Sequence, residues 1–113
     1  MEIHGHTLAQ REVEMTPFQI TVDSAAKHTI SSALRVLGHV ELASKIQRWP
    51  NWPYDFSPDE FRIIVTPQEL SRVIDAYTYS TTDGRKFPAD AKFRTQNWAD
   101  ADALELAEER GLA

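Results

Sequence analysis

Two histidines separated by one residue, His4 and His6, are the most metal-like feature of this chain. Alternate side chains of a strand face the same way, so both imidazoles would reach one ion, with Glu2 as a third ligand on that face. His28 and His39 do not extend the set. The first belongs to the solvent face of a helical pattern, and the second sits at a junction between helices. A small metal-dependent enzyme using His4 and His6 is therefore one expectation, and it needs a complete ligand shell to hold. A histidine pair decorating a surface strand is the plainer alternative.

Other catalytic chemistry finds less support. There is no cysteine, which removes disulfides, thiolate nucleophiles and cysteine-based zinc sites. No G-x-S-x-G elbow is present, and Ser24, Ser31 and Ser32 fall where a helix needs polar residues. The four glycines, Gly5, Gly38, Gly84 and Gly111, are isolated, so no phosphate-binding glycine motif exists. Asp55, Asp59 and Glu60 cluster beside an aromatic stretch and could form an acid–base pair. Acids at a helix N-terminus are, however, ordinary partners of the helix dipole. No cofactor is expected.

Binding is better represented. Trp49-Pro50-Asn51-Trp52-Pro53-Tyr54-Asp55-Phe56 places four aromatic rings and two prolines in one stiff loop. Trp49 continues the helical stripe of Leu42 and Ile46 and is expected in the core. Trp52 belongs to no stripe: either the rings of this loop lid the core, or Trp52 projects and, with Tyr54 and Phe56, anchors a partner. Farther on, Thr81-Thr82-Asp83-Gly84-Arg85-Lys86 combines hydroxyls, a turn glycine and two cations. Together with Arg94 it suits an anion, unless it is simply a solvated hairpin tip. A nucleotide-like ligand stacked on Trp52 or Tyr54, its phosphate held by Arg85, Lys86 or Arg94, is the corresponding small-molecule reading.

These residues need a scaffold, and 113 residues with 42% apolar and 26% charged side chains suit one soluble globular domain. Net charge is −5, which argues against general binding to nucleic acid or anionic lipid. That charge is uneven. Arg85, Lys86, Lys92 and Arg94 outweigh Asp90, and directly afterwards Asp100, Asp102, Glu105, Glu108 and Glu109 outweigh Arg110. No apolar run is long enough to span a membrane, and the opening residues lack a signal-peptide pattern, so a cytoplasmic location is expected.

The alternating Phe18-Gln19-Ile20-Thr21-Val22 predicts a half-buried strand, and residues 2 to 7 a second short one. Asp23 or Ser24 caps a helix running to residue 37, with Ala26, Ile30, Ala33, Leu34 and Leu37 inward and Gly38 at its end. A shorter helix follows over residues 39 to 49. Ser57-Pro58-Asp59-Glu60 and Thr66-Pro67-Gln68-Glu69 are both capping boxes. The second opens a helix over residues 67 to 79, with Leu70, Val73, Ile74 and Tyr77 inward. Residues 61 to 65 fit helix or strand. Residues 80 to 96 read as a hairpin or a long loop, and a last helix spans about 100 to 110, stopped by Gly111 with Leu112 folding back.

The expected fold is mainly α with a small N-terminal β element, or α+β if residues 61 to 65 join the first strand. The leading functional expectation is a non-catalytic, inhibitor-type or accessory module that docks on another protein. Small-anion binding and the metal enzyme are the alternatives, and self-association into a symmetric dimer or ring is also expected.

Overall fold

The computed structural model describes residues 17–53, 59–83 and 87–112. The expected strand at residues 2 to 7 lies outside them. The alternating segment forms β1 (Phe18–Val22), and Asp23 then caps α1 (Ser24–Val36), its carboxylate accepting the Ala26 N–H at 2.8 Å. Gly38 turns the chain at φ +91°, while the His39 N–H bonds the Leu34 carbonyl and the Gly38 N–H that of Arg35. This is a Schellman ending, which satisfies carbonyls that the helix itself leaves open. It leads into α2 (Val40–Arg48). Leu37, expected to point inward, is exposed, because the helix has already ended there.

The ambiguous residues form β2 (Phe61–Val65). Asp59 and Glu60 accordingly start no helix: the Trp52 N–H donates to the Glu60 carbonyl at 2.7 Å, and the chain runs straight into the strand. At the second box the expectation holds. The Thr66 hydroxyl accepts the Glu69 N–H at 3.0 Å, and the Glu69 carboxylate accepts the Thr66 N–H at 2.9 Å. The helix it opens, α3 (Pro67–Asp83), runs a turn longer than expected. Its buried line is Leu70, Val73, Ala76 and Ser80, leaving Ile74 44% exposed. Ser80 can be buried because its hydroxyl donates to the Ala76 carbonyl at 3.0 Å.

Residues 93 to 96, read as hairpin or loop, form a third strand, β3 (Phe93–Gln96), ahead of α4 (Ala101–Glu109). The sheet order is β2-β1-β3, antiparallel throughout, so the fold is mixed α+β. Strand alternation gives the sheet two unlike faces. On one, Ile20 and Val22 stand beside Ile63 and Phe61 and meet α1 and α3, with Tyr77 of α3 stacked on Phe93 at 4.7 Å. On the other lie Gln19, Thr21, Arg62, Ile64, Arg94 and Gln96, and α4 packs there against β2. Gly111, at φ +69°, closes α4 with the same ending as Gly38, and half-buried Leu112 donates its N–H to the Ala107 carbonyl at 2.8 Å.

Trp49 is buried as expected, and so is Trp52, at 6% and 5% exposure. The Arg62 guanidinium lies 4.2 Å from the centre of the Trp52 ring, so of the two readings of this ring, core lid or projecting anchor, the indole takes the first. Replacing either Trp49 or Trp52 by alanine is expected to cost about 3 to 5 kcal/mol in denaturant unfolding, as for a large core aromatic. A loss below about 1 kcal/mol at Trp52 would contradict its place in the core. Thr66→Ala is expected to cost about 1 kcal/mol through loss of the capping box.

Candidate functional site

The second sheet face carries the most connected polar group among the described residues. Gln19 is fully buried in the central strand, and both ends of its amide are satisfied. Its Oε1 accepts the Asp100 N–H at 3.0 Å, while Nε2 donates to Thr21 Oγ1 at 3.1 Å and to Asp100 Oδ2 at 3.2 Å. Arg62 Nη1 reaches the same Oδ2 at 3.3 Å, and Gln96 Nε2 donates to Oδ1 at 3.1 Å. Asp100 thus collects donors from all three strands. It gives its own helix no side-chain cap in return.

These bonds hold a bend. Gln96 Nε2 also donates to the Trp98 carbonyl at 2.8 Å, and the Ala99 N–H donates to the Pro17 carbonyl at 2.9 Å. The peptide that follows Trp98 is therefore fixed at both its carbonyl and its N–H, while Trp98 itself is 63% exposed. A large ring on a fixed backbone loses little conformational freedom when a partner covers it.

Beside this bend runs the outer edge of β3, which pairs on its inner side with β1 and on its outer side with no described strand. Its Arg94 is exposed, as are Lys92 and Thr95, and neither Lys92 nor Arg94 forms an ion pair with a described residue. Of the residues expected to bind, Arg94 is thus on the surface and Trp52 is not. Tyr54, Phe56, Arg85 and Lys86 lie outside the described residues, as do His4 and His6. Arg62 covers one face of the Trp52 ring, which is itself 5% exposed. Trp98 went unremarked in the sequence because no periodic stripe contains it; an aromatic ring standing among polar residues just before a helix N-cap was its only local signal.

The catalytic candidates are engaged structurally. Asp59 accepts both the backbone N–H of Ser24, at 3.1 Å, and its hydroxyl, which places a carboxylate at the N-terminus of α1. Glu60 pairs with Arg62. Asp55 lies outside the described residues, among which no group of three or more His, Cys, Asp or Glu could hold a metal ion. His28 is solvent-exposed as expected and lines a shallow groove of about 220 Å³ between α1 and α3, with Ser32, Val36 and Tyr79. That volume is below the usual range for a small-molecule site. No described helix is long and apolar enough to cross a membrane. No family model, curated protein or solved structure matches the chain.

Burial holds the Lys27 ammonium below its ordinary pKa of 10.5; its Nζ donates to the Trp49 carbonyl at 3.1 Å and lies 4.0 Å from the centre of the Phe61 ring. The unfolded chain therefore binds this proton more tightly than the folded one. The resulting cost to stability is full below the folded pKa and fades as pH rises toward 10.5. Paired denaturant titrations are expected to show wild type gaining on Lys27→Met through the alkaline range, and a pH-independent difference would refute the assignment. Gln19→Leu is expected to destabilise the fold by about 1 to 3 kcal/mol, because it takes the partner from the part-buried Asp100 N–H and removes a donor from its carboxylate. An unchanged unfolding midpoint would show that the clamp is not needed.

Proposed function

We propose that this chain is a non-catalytic module that docks on another protein through the surface formed by Trp98 and the outer edge of β3. One observation carries this reading: Trp98 is the largest exposed apolar side chain among the described residues, and the backbone that follows it, from its own carbonyl to the Asp100 N–H, is hydrogen-bonded to Gln96, Pro17 and Gln19. Tryptophan is the residue type most enriched among interface anchors, and a preorganised anchor retains more of its contact energy as affinity. Val36, Leu37 and Val40 are also exposed, at the α1–α2 corner. They are aliphatic side chains around a positive-φ glycine, and none of them carries the area of an indole or its polar N–H. Arg94 of β3 and Lys92 just before it supply register around the anchor.

The test compares the wild-type chain with Trp98→Ala in quantitative affinity capture from the native host. Trp98→Ala is expected to keep its unfolding free energy within about 1 kcal/mol while weakening retention of a stoichiometric protein partner by about 2 kcal/mol, roughly thirtyfold. Equal retention of that partner by wild type and variant would sink the reading. Trp52→Ala supplies the contrast, since its effect is expected on stability first.

A further inference from the structure

We infer that the outer edge of β3 takes up an extended, acidic segment of a partner protein as a fourth strand, with glutamate or aspartate at alternate positions facing Lys92 and Arg94. This inference rests on the docking reading above and names its mode. Its basis is the hydrogen-bond phase of the sheet. The Asp23 N–H donates to the Lys92 carbonyl at 3.2 Å, the Lys92 N–H donates to the Asp23 carboxylate at 3.0 Å, and the register places Val22 opposite Phe93, so Asp23 and Lys92 stand at a hydrogen-bonded position of the ladder. In an antiparallel ladder such pairs alternate, which makes Thr21–Arg94 and Gln19–Gln96 the next two. The N–H and C=O groups of Phe93 and Thr95 therefore point away from β1, toward the side where no described strand lies. These are the main-chain groups that an added strand uses for affinity.

Side-chain alternation then specifies the chemistry of the incoming strand. Lys92 and Arg94 fall on the sheet face shared with Thr21 and Arg62, while Phe93 falls on the opposite face, against Tyr77 and Phe87. A complementary strand carries acids on the first face and apolar residues on the second. The cations also count against the simplest competing occupant, a second copy of this chain. An antiparallel self-pairing that uses the outward groups of both Phe93 and Thr95 sets Arg94 directly opposite Arg94 of the other copy, and like charges at that position destabilise a strand pair. Charged edges are a known defence against self-association, and here the same charges select a partner of opposite sign. Trp98 lies just beyond the end of β3 and offers an apolar surface to a residue at the end of that segment.

The experiment uses the full-length chain and short capped peptides of alternating glutamate and valine, followed by amide resonances and hydrogen exchange. The acidic peptide is expected to shift the Phe93 and Thr95 amides and slow their exchange by about tenfold, and to lose affinity as salt is added. A lysine–valine peptide is expected to bind about tenfold more weakly, with Arg94→Glu reversing that preference. Thr95→Pro removes an outward donor that β1 does not use, a position where an edge strand tolerates proline, and is expected to abolish the binding. Perturbations confined to the α1–α3 groove or the α1–α2 corner would overturn the inference, as would equal binding of both peptides. A doubling of molecular mass with the same amides protected and no peptide present would assign the edge to a second copy and overturn it too. If Thr95→Pro still retains a partner that depends on Trp98, strand addition fails while the docking reading stands. If retention does not depend on Trp98, the docking reading itself fails.

Discussion

A fully buried amide in a central strand is tolerable only when both of its ends find partners, and Gln19 finds them by drawing the start of α4 onto the sheet. Much of the second sheet face follows from that requirement. Asp100 must turn its carboxylate toward the strands instead of capping its own helix, and once there it also receives Arg62 and Gln96. Because Asp100 is held, the residues between β3 and α4 must bend sharply, and the bend leaves Trp98 outside. A polar interaction that looks like core housekeeping thus determines which tryptophan meets solvent.

The two faces of the sheet divide the work. The face toward α1 and α3 is closed by aliphatic side chains and by the Tyr77, Phe87 and Phe93 rings, which depend on burial and not on direction. The other face is held by hydrogen bonds and by Arg62, whose guanidinium covers Trp52 while its nitrogens engage Glu60 and Asp100. Each of those contacts requires a particular angle, so this face is held by direction as well as by burial.

A site of this kind differs from the one the aromatic loop suggests. Two prolines stiffen that loop, but stiffness says nothing about direction, and the ring between them turns inward. The Trp98 bend has no proline of its own and is held by side chains from elsewhere in the sheet. Preorganisation here is tertiary, and the edge of β3 beside it pairs with no second strand among the described residues.

What the sequence by itself determined are features whose partners lie within one or two turns of each other. The Asp23 cap, the reciprocal Thr66–Glu69 box, the left-handed glycines at 38 and 111, and the alternation of β1 all read correctly from neighbouring residues, because the interactions that set them are local. Residues 61 to 65 became a strand only because β1 offered a register to Phe61 through Val65, and β3 exists because the other side of β1 was free. The exposures of Trp52 and Trp98 were equally illegible, since both stand outside any helical stripe. The first is buried by an arginine from the next strand, and the second is left outside by an amide 81 residues from the aspartate that it holds. Burial depends on which distant side chains arrive to satisfy or cover a group, and no short window of sequence contains that information.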